Sequence, residues 1–462
     1  RSDASAKFAP QNYWGMFPSW SAGWVISDEK WFDKDKTKID FLKIRGSFGI
    51  LGKDNVNAWL WTQLYTRNPD KGPIFGTNSS TNTSATIRMP KQGVNPDVHW
   101  DKTYKTNFGI DMAFLKNRMS ANLDFYYDMG REMFASHQGT SYYPNTVGIQ
   151  PAPENFGEVD TYGVELSLGW KDKIGKDMSY WVKLTTGYND NKIRETGWKA
   201  AYDFDKLVRN ERSDRGLWGY ECIGMFRSYQ EINEYFDKYS ITKYLGNTKE
   251  NVHPGMLIYK DVRGQYDEST GTFGPADGIV DEQDYIKISH RASNPYGGTL
   301  NFGFSYKVFS ISAQFGASWG AYSLVPTTMR KESYSEYSNV SAMWKDMFVY
   351  EDIYDANNIV TVAQNRNAKY PNIRYSSVNG APSTFWKVSA ATVQLRNMTV
   401  AYALPKEWLK IIGISSCRFN LTCQNVFNFL NPYPEGAWAS WAGSYGYYPN
   451  LRKFTLGVNV SF

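Results

Sequence analysis

Apolar and polar positions alternate along this chain in short stretches, and the clearest is Leu451 to Phe462, LRKFTLGVNVSF. Phe454, Leu456, Val458, Val460 and Phe462 fall on one parity; Thr455, Gly457, Asn459 and Ser461 fall on the other. Strand side chains alternate between faces, so this stretch predicts a strand with one greasy face and one polar or small face. A soluble sandwich would press the greasy face onto a second sheet, whereas a transmembrane barrel would turn it to lipid and the polar face to a watery lumen.

The alternation recurs upstream. Leu42, Ile44, Phe48 and Ile50 share a side in 41–51, as do Phe108, Ile110, Met112 and Phe114 in 106–114. After a tight LKNR turn, Met119, Ala121, Leu123, Phe125 and Tyr127 repeat the pattern, which predicts a hairpin. Further pairs are Val164 to Trp170 with Val182 to Tyr188, and Leu300 to Tyr306 with Ile311 to Trp319. Met398, Val400 and Tyr402, then Phe419, Leu421 and Cys423, lead to the terminal strand. The parity slips near residue 397, as a β-bulge would make it. With 17–26 included, the count is about eleven strands.

Short turns alternate with long connections, 53–102, 135–155, 196–295, 321–388 and 428–449. Outer-membrane barrels have short periplasmic turns and long extracellular loops, so the asymmetry favours an all-β transmembrane antiparallel barrel. An odd number of strands is not a whole bacterial barrel, so the chain is expected to be part of one.

Composition narrows the alternatives. In 462 residues there is no apolar run long enough for a membrane helix, and mean hydropathy is −0.53. Aromatics make up 16%, which suits interfacial girdles or stacking platforms. Net charge is +5, but 51 basic residues are interspersed among 46 acidic ones, and no basic run supports nucleic-acid binding. Cys222, Cys417 and Cys423 are widely placed, and the last two are too far apart along one strand to pair, so neither a disulfide framework nor a thiolate metal site is expected. The chain opens RSDASAKFAPQNYWG without methionine or signal peptide, so a processed product is expected.

Several phrases in order resemble the SusC-like branch of TonB-dependent transporters. They are SAKFAPQNYWGMFPSWSAGWVISDEKWF, FLKIRGSFGILGKDN, NFGEVDTYGVELSLGW, YKDV with ADGIVDEQDYIKI, NPYGGTLNFGFSYKVFSISAQFGASWGAY, VQLRNMTVAYALP, FNLTCQNVFNF and LRKFTLGVNVSF. A closing strand ending on an aromatic residue also resembles the insertion signal of outer-membrane barrels. The resemblance implies a barrel of about 22 strands, of which residues 1–462 would be the C-terminal half. The plug domain and TonB box would lie in an N-terminal portion outside this chain. It implies outer-membrane residence, active import driven by the TonB complex, a SusD-like surface lipoprotein as lid, and dimers of such paired units. The family imports glycans and oligopeptides; oligosaccharide is the expected cargo and oligopeptide the alternative. A passive porin or structural barrel is the rival, and a soluble carbohydrate-binding enzyme is more distant.

One constellation carries site chemistry. DVRG and the later DGIVDEQD form an interrupted EF-hand-like loop with Asp261, Asp277, the Ile279 carbonyl, Asp281 and Asp284 at ligand positions and Gly278 at the turn. Arg263 falls where an oxygen ligand belongs, and Asp267 or Glu268 would substitute. Calcium is the expected cation, resting mainly on the resemblance, and no organic cofactor is expected. The alternative is an Asp-Gly turn with solvated carboxylates.

Loop aromatics form a diffuse second candidate: Trp59, Trp61, Tyr65, Trp198, Trp218, Tyr220, Tyr337, Trp344, Trp438, Trp441, Tyr445 and Tyr447. Such rings stack on sugars or pack a peptide, or simply anchor loops to one another. His99, His137, His253 and His290 stand in no HExxH, GxSxG or P-loop context, so no enzyme is expected.

Overall fold

The computed structural model describes all residues except 69–85, 89–92, 136–145, 147, 198–207, 268, 332–339, 412, 431–432 and 434–450. Eleven strands build the main sheet: β1 (Ser19–Val25), β2 (Ile39–Lys53), β3 (Asp101–Phe114), β4 (Met119–Ala135), β5 (Glu154–Ile174), β6 (Met178–Glu195), β7 (Tyr296–Tyr306), β8 (Phe309–Trp319), β9 (Thr392–Ala403), β10 (Ser416–Asn428) and β11 (Lys453–Ser461). Each bonds to its neighbours in sequence, with β1 and β11 at the two ends of the order. This is the up-and-down meander that short turns between alternating stretches dictate. The eleven predicted strands are these eleven, several of them longer than the alternation suggested, because their outer ends lose the greasy parity while the ladder continues.

The chain divides into two compact units. In the first, β2 pairs with β1 through Trp20↔Phe48 and Trp24↔Ile44, and with β3 over its whole length. The LKNR turn joins β3 to β4 with Leu115, Lys116 and Asn117 all at positive φ. Ion pairs stud the polar parity: the Arg45 guanidinium bridges Asp111 (3.1 Å) and Asp124 (2.7 Å), and Lys105 meets Asp128 at 2.9 Å. A small core of Phe8, Val56 and Val98 sits with Trp100 against the ends of these strands.

In the second unit, β7 through β11 keep a continuous register. The expected bulge is present: against β8, Gln314 and Phe315 pair with Asn397 and Leu395, leaving Arg396 as the extra residue, while against β10 Arg396 stands opposite two residues, Asn425 and Val426. β11 pairs with β10 from Lys453↔Gln424 to Ser461↔Ser416.

The long connections of the second unit are more than loops. Segments from 217–289 and 322–389 collapse onto one core that includes Phe226, Tyr244, Tyr259, Trp344, Phe348 and Trp386. A helix, α1 (Tyr229–Lys238), starts where Ser228 accepts a hydrogen bond from the Glu231 amide, and buries Ile232, Tyr235 and Phe236 at helical spacing. The S-x-x-E phrase before an apolar i, i+3, i+4 set was a readable signal for it. All three cysteines are free thiols; burial pushes Cys222 up to about 11, which removes it as a nucleophile at neutral pH.

Candidate functional site

Across β7–β11 the register sorts side chains into rows, and the rows have two chemistries. One face carries Phe302–Ala313–Met398–Cys423–Phe454 and Phe304–Ile311–Val400–Leu421–Leu456. Several of its large side chains are exposed, Leu421 by 43% and Leu456 by 74%, and Phe302, Ile311 and Met398 are half-buried. A contiguous greasy sheet face without a covering layer has hydrocarbon as its natural solvent.

The opposite face carries Asn301–Gln314–Asn397–Gln424–Lys453, then Gly303–Ser312–Thr399–Thr422–Thr455, then Ser305–Ser310–Ala401–Asn420–Gly457. Neighbours in these rows bond laterally, Asn397 Nδ2 donating to the Gln314 side-chain oxygen at 2.9 Å and the Thr399 and Thr422 hydroxyls meeting at 3.2 Å. Missing side chains at Gly303 and Gly316 let two flat groups lie against the backbone. A Cβ at Gly303 would strike the Trp181 indole, and one at Gly316 would strike the Arg396 guanidinium.

The acidic loop is ordered by its own carboxylates. Asp284 is fully buried; its Oδ1 accepts from the amides of Val262 (2.7 Å) and Arg263 (3.1 Å), and its Oδ2 from the amide of Asp281 (2.9 Å). Asp281 caps the short turn after it by accepting from the Gln283 amide, Asp277 accepts from the Ile279 amide, and Asp261 Oδ2 accepts from the Gly278 amide at 2.7 Å. Gly278 takes φ +79°, the left-handed turn expected there. Arg263, unable to ligate, instead donates to the carbonyls of Gln283 and Tyr285 and lies 3.9 Å over the Phe273 ring. Burial, with the neighbouring carboxylates, pushes both Asp261 and Asp284 above the ordinary carboxylate range.

A cation fits only part of this arrangement. Among the described residues no three His, Cys, Asp or Glu side chains gather as a metal-holding group. Asp261 Oδ1, however, is buried with no hydrogen-bond partner among the described residues, an oxygen that a hard cation would satisfy. Glu268 lies outside the described residues, and Asp267 is spent on Ser269.

The aromatic candidates divide. Trp59 and Trp61 stand 5.9 Å apart, with Trp59 and Tyr65 exposed. Trp218 donates its Nε1–H to the Arg215 carbonyl under the Lys287 ammonium. Trp344 and Tyr220 are core residues, 4% and 2% exposed, packed against Trp386 and Tyr259 respectively, so neither offers a ring face to a ligand. Trp198, Tyr337, Trp438, Trp441, Tyr445 and Tyr447 lie outside the described residues. So does His137, while His99 bonds Asp97 and Glu132, and His253 stacks on Tyr375. Trp181 and Arg396 were missed by sequence reading because their position depends on which glycines face them across the sheet.

TonB-dependent receptor SusC of Bacteroides thetaiotaomicron is 30% identical over 481 residues, covering 100% of this chain and 41% of that protein. Relatives named as SusC and TonB-dependent receptors thus match this chain over its full length. A TonB-dependent receptor of Formosa agariphila is 24% identical over 498 residues, covering 100% of this chain and 44% of the relative. The RagAB peptide transporter structure superposes with a TM-score of 0.70 at 19% identity, over 100% of this chain and 45% of that one. No family model matches the chain. The SusC-like chain therefore spans less than half the length of these relatives, and like them it is an outer-membrane protein.

Proposed function

We propose that this chain forms part of the wall and the outer loops of a TonB-driven outer-membrane importer, with an oligosaccharide as cargo. The observation that carries the reading is the eleven-strand meander whose greasy rows back onto a wall of hydroxyls and amides, in a chain that aligns over its whole length with 41% of SusC. Such a wall offers a sugar many weak, exchangeable hydrogen bonds, as a path must if the ligand is to move along it. The reading includes the remaining N-terminal plug and barrel portion, the TonB complex, a SusD-like lipoprotein as lid, and pairing of two such assemblies. Nothing in it requires covalent chemistry.

Loss of ligand uptake in a TonB-deficient strain is the expected result; undiminished uptake there would make the protein a passive porin. Oligopeptide is the second reading, because RagAB, whose fold this chain shares, is a peptide transporter. Isothermal titration of the full receptor complex with defined glycans and with mixed peptides separates the two, and binding of peptides alone would overturn the first.

A calcium ion in the acidic loop belongs to the same proposal. Asp261, whose Oδ1 has no hydrogen-bond partner among the described residues, would lead in holding it, with Asp277, Asp281 and the Ile279 carbonyl beside it, whereas both oxygens of Asp284 are taken by backbone amides. It would neutralise crowded carboxylates and hold the loop.

A further inference from the structure

Where the strands are joined by short turns, most connections use little chain: LKNR between β3 and β4, 175–177 between β5 and β6, and 307–308 between β7 and β8. Two connections at that same end are several times longer, 26–38 between β1 and β2 and 404–415 between β9 and β10. Each folds a short helix, Lys34–Thr37 in the first and Lys406–Lys410 in the second. Antiparallel strands reverse within about two to five residues, so chain reversal does not account for the extra length.

In each long turn an apolar side chain goes in and a tryptophan stays out. Ile26 is buried at the start of the first, while Trp31 is 65% exposed. The Trp31 ring meets that of Trp24 with centroids 6.3 Å apart, and Trp24 belongs to the greasy row Trp24–Ile44–Ile110–Leu123. The turn's tryptophan thus prolongs the greasy face of β1. In the second turn Leu409 is buried where the helix touches β10. Trp408 and Ile411, three residues apart and so on one side of the helix, are 60% and 85% exposed. The last greasy row before this turn is aromatic, Tyr306–Phe309–Tyr402–Phe419, with the Phe309 and Tyr402 rings 4.8 Å apart.

Charges in the first turn are spent locally. Lys34 pairs with Asp28 at 3.3 Å and Lys36 with Asp33 at 3.4 Å, and the Trp24 Nε1–H donates to the Glu29 carboxylate at 2.8 Å. An indole with a polar edge and a greasy body partitions to the boundary between lipid headgroups and acyl chains.

We propose that these two turns are membrane-seating elements. Trp31, backed by Trp24, and Trp408 with Ile411 insert at the headgroup–acyl boundary of the phospholipid leaflet on the short-turn side, each fixing the depth of its own unit. The occupant is lipid because each turn continues a greasy sheet face, and in an outer-membrane protein such a face already meets lipid. The inference rests on outer-membrane residence and is independent of the cargo.

The test uses the complete receptor in vesicles of phosphatidylethanolamine and phosphatidylglycerol. W31C, W408C, I411C and, in the compact turn at 175–177, K176C each carry an environment-sensitive fluorophore; the unsubstituted receptor taken through labelling sets the background. Lipids bearing a nitroxide at the headgroup end or the methyl end of the acyl chain then report depth. Headgroup-end nitroxide should quench positions 31, 408 and 411 at least about twofold more than position 176, and more than methyl-end nitroxide does. Heat-dependent gel migration verifies that each variant is folded, and I411C leaves Trp408 in place. Quenching no greater than at position 176 overturns the proposal, each turn standing or falling by its own labels. So does a label shielded from aqueous iodide yet untouched by nitroxide lipid, the result expected if a periplasmic protein or the rest of the receptor covers the turn. Neither outcome bears on the import reading, which stands or falls on TonB dependence of uptake.

Discussion

Replacing Asp284 by alanine removes the acceptor of three backbone amides at once, those of Val262, Arg263 and Asp281. The carboxylate is fully buried, so water does not replace it without the loop opening. Each orphaned buried donor costs about 1–3 kcal/mol, and relief of a buried charge offsets part of that, leaving about 3–4 kcal/mol of local stability lost. Hydrogen exchange of the complete receptor reads this directly, because local opening sets amide protection. Protection at Val262 and Arg263 should fall by about a hundredfold or more in D284A. D284N keeps one acceptor oxygen, so it should spare those two amides and expose mainly Asp281, by about tenfold. Unchanged protection in D284A would refute the assignment of Asp284 as the staple of this loop. Equal loss on adding a chelator to the unsubstituted receptor would transfer that role to a cation.

Three further outcomes follow from the same geometry. Calcium titration should show binding that D261N abolishes, because Asp261 Oδ1 is the unpartnered oxygen; an unchanged isotherm removes the cation site. L421R places a cation on the lipid-facing row and should cost about 2–4 kcal/mol, whereas T422R on the adjacent polar row should cost far less; refolding into liposomes against urea compares them, and equal costs would contradict the assignment of faces. W386A removes a core indole that is 1% exposed and donates to the Asn379 carbonyl at 2.6 Å; about 3–5 kcal/mol should be lost from the loop layer, read as faster protease cleavage within 217–389 while the strands stay protected.

The alternation of LRKFTLGVNVSF and its counterparts determined much by itself: the strands, their two faces, and a bulge near residue 397. These were legible because a strand's side-chain period is two residues, so local sequence states which face each residue takes. Gly278 was legible for a similar reason, a tight turn imposing a backbone angle that glycine tolerates. The loop segments were not. Trp344 and Tyr220 look like ligand platforms in sequence and are core in the structure, because 217–289 and 322–389 meet only after chain reversal, and burial is a property of the meeting. The acidic loop shows the same limit: spacing suggested five ligands, while folding spent both oxygens of Asp284 on amides and set Arg263 on two carbonyls. Trp181 and Arg396 owe their positions to glycines on neighbouring strands, Gly303 and Gly316. Sequence period fixes which way a side chain points along one strand; what it meets there is decided by the partner strand, and only tertiary structure supplies that.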